Sequence, residues 1–122
     1  MARLASDAKI GFYPTSTKTI KKVIDKAIEF PENKMVVALD CCCGNGEAIE
    51  FIGKEYGCIT YGIELEEKRA KIASQRSIKA VLNADSIYGV RKSNTWAGLN
   101  FLNPPYGTNV SGGRLEIDFV KR

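Results

Sequence analysis

The chain has 122 residues, 44% hydrophobic and 26% charged, with four cysteines and no histidine. This balance excludes disorder, and no apolar run approaches the roughly 18 residues a membrane span needs. Met1 to Asp7 lacks a signal peptide's apolar segment, so one globular, cytoplasmic domain at most is expected. The net charge is +4, and residues 1–34 carry +3 of it, seven Lys/Arg against four Asp/Glu, a bias compatible with a nucleic-acid partner.

In chain order, the first feature is Gly11-Phe12-Tyr13-Pro14-Thr15-Ser16. Pro14 favours an extended Tyr13, and Thr15, Ser16 or Thr17 is placed to cap a following helix. Ile20, Val23, Ile24, Ala27 and Ile28 recur at helical spacing until Pro31 stops them. Lys18, Lys21, Lys22 and Lys26 fall largely off that stripe and read as a solvated face.

The stretch from Met35 to Gly46 is the centre of the chain. Met35 to Leu39 is a short β-branched apolar run, predicted to be a strand buried on both faces and ended by Asp40. Gly44 and Gly46 permit a tight turn, and Glu47 to Tyr56 reads as a helix with Gly57 as its C-cap. Strand, glycine turn and helix form the first unit of a nucleotide-binding α/β sheet, whose ligand sits at the carboxyl end of the strand. A second strand is expected over Cys58 to Ile63, ending at Glu64. A charged helix over Glu66 to Ser74 turns Ala70 and Ala73 inward. A third strand spans Ala80 to Asn83, before Asp85, and a fourth spans Leu99 to Leu102, closed by Asn103-Pro104-Pro105-Tyr106-Gly107. The pattern of residues 86–97 is left open, and residues 114–122 are expected to start another helix.

Cys41, Cys42 and Cys43 are adjacent, so their side chains diverge and do not converge on one ion. They are expected to be small reduced thiols at a strand end, with no metal and no disulfide.

Alternation of strand and helix at this spacing predicts a parallel sheet with right-handed crossovers. Its strand ends line one rim with Asp40 and the glycine turn, Glu64, Asp85 and Asn103. The helix N-terminus behind Gly46 offers N–H groups and a positive dipole end to a carboxylate or phosphate. Glu64, 18 residues beyond Gly46, is placed to accept hydrogen bonds from both hydroxyls of a ribose. Asp85 either accepts from an adenine amino group or caps a turn. At the last strand end two prolines fix the backbone and leave carbonyls outward, Asn103 adds an acceptor, and Tyr106 adds a flat face. That set suits a planar group bearing an NH2.

These motifs resemble the class I S-adenosylmethionine-dependent methyltransferases, most closely those acting on N6 of adenine in DNA, over nearly the whole chain. Phe12-Tyr13-Pro14-Thr15 is similar to that family's N-terminal cofactor motif. Asp40 to Gly46, with Cys41 and Gly44, resembles its acid-plus-glycine motif, which would hold the methionine moiety. Glu64, with Leu65 after it, resembles the ribose-binding acid, Asn83-Ala84-Asp85 the adenine-contacting segment, and Asn103-Pro104-Pro105-Tyr106 the catalytic tetrapeptide. The resemblance implies a Rossmann-like α/β domain with S-adenosyl-L-methionine as cofactor. Residues 1–34 would supply an N-terminal segment and helix, and residues 35–122 the cofactor-binding and catalytic core. Asn103 and the Pro104 carbonyl would hold the amino hydrogens of a flipped-out base while Tyr106 stacks on it.

Two departures shape the expectation. Three cysteines stand where the family often has an aromatic or small apolar residue, and four strands are countable where the family has seven. A partial domain is therefore expected, completed by a second subunit or by further chain, with an open edge beside the fourth strand. Within the same fold the tetrapeptide also suits a protein glutamine amide or a guanine amino group in RNA. A non-catalytic cofactor-binding or assembly module is the alternative from another class. A nicotinamide dehydrogenase is disfavoured, because Gly44-Asn45-Gly46-Glu47-Ala48-Ile49 lacks the third glycine.

Overall fold

A computed structural model describes residues 15–89 and 98–103. Among the described residues seven elements follow one another: α1 (Thr17–Ala27), β1 (Val37–Asp40), α2 (Glu47–Tyr56), β2 (Ile59–Glu64), α3 (Glu67–Ser74), β3 (Ala80–Asn83) and β4 (Leu99–Phe101). The four strands form one parallel sheet in the order β3-β2-β1-β4. The chain thus steps outward from β1 to β2 to β3 and then returns to the other side of β1. The strand order thus reverses between β1 and β4, and it is at the carboxyl ends beside such a reversal that open α/β sheets bind ligands.

The helices start and stop where local chemistry dictates. Ser16 caps α1, its hydroxyl accepting from the Thr19 N–H at 3.3 Å. Glu66 caps α3 through a carboxylate that accepts from Lys68 N at 3.1 Å and Arg69 N at 2.8 Å. Gly57 closes α2 in the left-handed conformation, φ 66°. All three helices feed one core: Ile20 and Ile24 from α1, Ile49 and Ile52 from α2 and Ala73 from α3 meet Ala38 of β1. Ile49 and Ile52 are fully buried, each worth about 1.5–3 kcal/mol in apolar area removed from water. Leu39, Cys41 and Ile63 form a smaller cluster on the alternate face.

Most expected elements lie within a residue or two of their observed bounds, and two details differ. The first strand begins at Val37 rather than Met35, and Met35 is 68% exposed because it precedes the ladder that buries Ala38 and Leu39. On α1 the buried stripe narrows to Ile20 and Ile24, while Val23 and Ala27 are exposed. Those two isoleucines sit four residues apart, one turn above the other, and that is the width of face the core takes up. Ala70 and Ala73 are buried as expected. Lys18, Lys21, Lys22 and Lys26 are exposed, with Lys21 paired to Asp25 and Glu55. Among the described residues no helix is long and apolar enough to cross a membrane.

Candidate active site

The parallel register decides which side chains share the rim. Asp40 pairs with Gly62 on one side and with Phe101 on the other, so Asn103 follows two residues beyond the strand position level with Asp40. Glu64 ends β2 level with Asn83 of β3. Asp40, Glu64, Asn83 and Asn103 therefore stand at the carboxyl ends of four adjacent strands.

The glycine turn is tied to these ends from within. Asp40 is 2% exposed and its Oδ1 accepts from the Cys42 N–H at 3.0 Å. Burial pushes its carboxyl up to about 8, opposed by that N–H. Cys43 N, three residues past the end of β1, donates to Ile63 O of β2 at 2.9 Å and ties the turn to that strand. Gly44 (φ 57°) and Gly46 (φ 86°) are both left-handed. Gly46 also has no room for a side chain, since a Cβ there would lie 2.7 Å from Ile78 Cδ1 and 3.1 Å from Ala73 Cβ. As N-cap of α2 it contributes no side-chain hydrogen bond to the helix's first turn.

Glu64 is the hub. It is 5% exposed, and its Oε1 accepts from the Gly44 N–H at 3.0 Å. Its Oε2 accepts from the Glu66 N–H at 2.7 Å and from Arg69 Nη2 at 3.1 Å. Leu65 beside it is 69% exposed. Asn83 fastens β3 to this corner, its Nδ2 donating to Glu64 O at 3.0 Å and Leu65 O at 2.9 Å. Ala84 packs with Leu39, Cys41 and Ile63, and Asp85 Oδ1 caps its own turn by accepting from Ile87 N at 2.9 Å and Tyr88 N at 3.3 Å. Of the two roles open to Asp85 from sequence, the turn cap is the one these contacts describe.

At the far end of the rim, Asn103 Nδ2 donates to Thr15 Oγ1 at 2.9 Å across 88 residues of chain. This bond joins Thr15, ahead of α1, to Asn103, the first residue of the Asn-Pro-Pro-Tyr sequence. Phe12, Tyr13, Pro14, Pro104, Pro105 and Tyr106 lie outside the described residues.

No disulfide joins any of the four cysteines. Cys41 and Cys43 are buried, and a Cβ on Gly62 would lie 2.8 Å from Cys43 Sγ, so this thiol fills the space that a glycine on β2 leaves. A hydrogen bond with Cys41 raises the Cys42 thiol, and burial raises those of Cys43 and Cys58. These shifts favour the thiol over the thiolate in all three. Among the described residues no group of three or more His, Cys, Asp or Glu could hold a metal ion.

A family model described as an uncharacterised methyltransferase family (DUF6094) matches residues 1–119. The chain belongs to this methyltransferase family. No curated protein sequence matches it. Among solved structures it is similar to the plantazolicin methyltransferase BpumL in complex with SAH, at 25% identity and TM-score 0.45, over 67% of this chain and 29% of that one. Two further structures of BpumL with SAH, holding monoazolic and triazolic desmethylPZN analogs, give TM-scores of 0.44 and 0.46 at the same identity. The first covers 65% of this chain and 29% of that one, the second 67% and 30%. The chain thus spans under a third of the length of these proteins.

For a member of this family, Arg69 and Arg76 are the residues that sequence reading missed. Arg69 stands one turn into α3 and reaches back to Glu64, a position an arginine five residues after a strand-end acid would signal. Arg76 clamps the glycine turn from the end of α3. Its Nε donates to Asn45 O at 2.8 Å and its Nη1 to Glu50 Oε1 at 3.2 Å. Nothing in local periodicity marks Arg76, because the loop and helix it joins are 26 to 31 residues away.

Proposed function

We propose that this chain carries the cofactor-binding and catalytic core of an S-adenosyl-L-methionine-dependent methyltransferase acting on an exocyclic amino group, in the first instance N6 of adenine in DNA. The observation that carries the reading is the β1–β4 register. It sets the strand end at Asp40 beside the strand end that leads into Asn103, at the sheet's reversal point, which supports a shared site there.

The residues present fit such a cofactor. Glu64 offers a carboxylate to the ribose diol, and the α2 N-terminus, which no side chain caps, offers N–H groups to the methionine carboxylate. Leu65 gives an exposed apolar surface beside the adenine position, and Ala84 and Asp85 border it. The bound cofactor supplies an activated sulfonium methyl. Asn103 and the Pro104 carbonyl accept the two amino hydrogens of the target, drawing the nitrogen lone pair out of conjugation and orienting it. Thr15 takes the Asn103 amide through its NH2 end, an orientation that supports Oδ1 as the acceptor for the target. Pro105 stiffens the segment and Tyr106 provides the stacking face. On this reading Phe12, Tyr13, Pro14 and Cys41 also serve cofactor binding.

A labelled-methyl transfer assay presenting adenine-containing DNA, RNA and protein substrates tests this, with Asn103→Ala as control. Incorporation into DNA at adenine N6, lost in the variant, is the expected result. Incorporation only into a protein glutamine amide or an RNA guanine would keep the chemistry and move the substrate. Cofactor binding with no transfer to any substrate would leave a binding module that needs a second chain.

A further inference from the structure

The hydrogen bonds around Glu64 have a consequence for how its site opens. A carboxylate has about four acceptor positions, two on each oxygen. Three are filled here: Gly44 N–H takes one on Oε1, and Glu66 N–H and Arg69 Nη2 take both on Oε2. A vicinal diol binds a carboxylate by giving one hydroxyl to each oxygen. Oε1 has a position to give, and Oε2 has none. Of the two groups on Oε2, the Glu66 N–H is fixed by backbone, since Glu66 also caps α3 with its own carboxylate. Only the Arg69 guanidinium sits on a rotatable side chain. The pair is covered, with the Arg69 side chain 11% and the Glu64 side chain 6% exposed.

We propose that Arg69 is a gate on the ribose subsite: its guanidinium and the cofactor's diol compete for Glu64 Oε2, and binding requires the ion pair to open. This rests on the reading of Glu64 as the ribose acid. The gate sets affinity, because every cofactor bound displaces an almost fully buried charge pair. It also sets specificity, since an adenosyl ligand without ribose hydroxyls has nothing to offer Oε2 in exchange for the guanidinium.

Titrating the chain with S-adenosylhomocysteine tests this, using wild type, Arg69→Met, which keeps a long apolar stem, and Glu64→Gln. The expected result is roughly tenfold tighter binding by Arg69→Met, about 1.4 kcal/mol, and loss of that gain with the 2′,3′-dideoxy analogue. Unchanged or weaker binding by Arg69→Met, with Glu64→Gln strongly weakened, overturns the gate and leaves the ribose acid in place. Unchanged binding by Glu64→Gln overturns the ribose reading itself. Proton exchange at the Arg69 guanidinium, followed by NMR in wild type, needs no variant to fold. It should accelerate when S-adenosylhomocysteine binds, and equal protection with and without the ligand contradicts the gate.

Discussion

Replacing Gly46 by alanine tests whether the glycine turn is held by the protein's own packing. Two separate penalties act there. At φ 86° the backbone is left-handed, which costs an L-residue about 1–2 kcal/mol. The new methyl would also lie 2.7 Å from Ile78 Cδ1 and 3.1 Å from Ala73 Cβ, and overpacking of this kind costs about 1–3 kcal/mol. Ala73 is fully buried against the sheet and has no rotamer with which to yield. Gly57→Ala supplies the internal control, because Gly57 is also left-handed (φ 66°) but a Cβ there meets nothing within 4 Å. Urea unfolding of both variants should therefore give about 1–2 kcal/mol lost for Gly57→Ala and roughly 2–5 kcal/mol for Gly46→Ala, with the difference reporting contact alone. Equal losses at the two positions would refute the packing argument.

Three further outcomes are expected. Asp40 has its carboxyl raised to about 8 by burial, so the folded chain holds a proton that the unfolded chain has lost above its ordinary carboxylate range. The stability this contributes is complete at low pH and is lost as pH rises toward 8; in Asp40→Asn, that part of the decline should vanish from denaturation curves taken between pH 4 and 9. Thr15→Val removes the hydroxyl that accepts from Asn103, and should lower kcat for methyl transfer about tenfold with cofactor affinity unchanged; a selective loss of cofactor affinity would return Thr15 to a direct cofactor contact. Arg76→Ala breaks the bonds to Asn45 O and Glu50, and should cost about 1–3 kcal/mol by thermal or urea unfolding, a loss that Arg76→Lys restores only in part.

What the sequence made legible follows from the range of the physics involved. Strand and helix bounds depend on period and punctuation within about ten residues, and Gly57, Pro31 and the Ala70/Ala73 pair are local signals of that kind. The strand-end acids were legible because a parallel βαβ succession aligns carboxyl ends. The internal use of those acids was not. Glu64 reads as an acceptor facing a ligand, yet its partners Gly44, Glu66 and Arg69 are set by how a turn 20 residues away closes on β2. Gly46 reads as a glycine kept bare for a ligand, while its tightest neighbours are Ile78 and Ala73. The Thr15–Asn103 bond joins two motifs at opposite ends of the described chain, and no periodicity spans 88 residues.

A crystal structure of the chain with S-adenosylhomocysteine tests the central claim most directly. The ribose hydroxyls should lie within hydrogen-bonding distance of both Glu64 oxygens, with the sulfur facing Asn103 across the gap between β1 and β4. Ligand bound on another part of the surface, with the Glu64 carboxylate still closed onto Gly44, Glu66 and Arg69, would contradict the account.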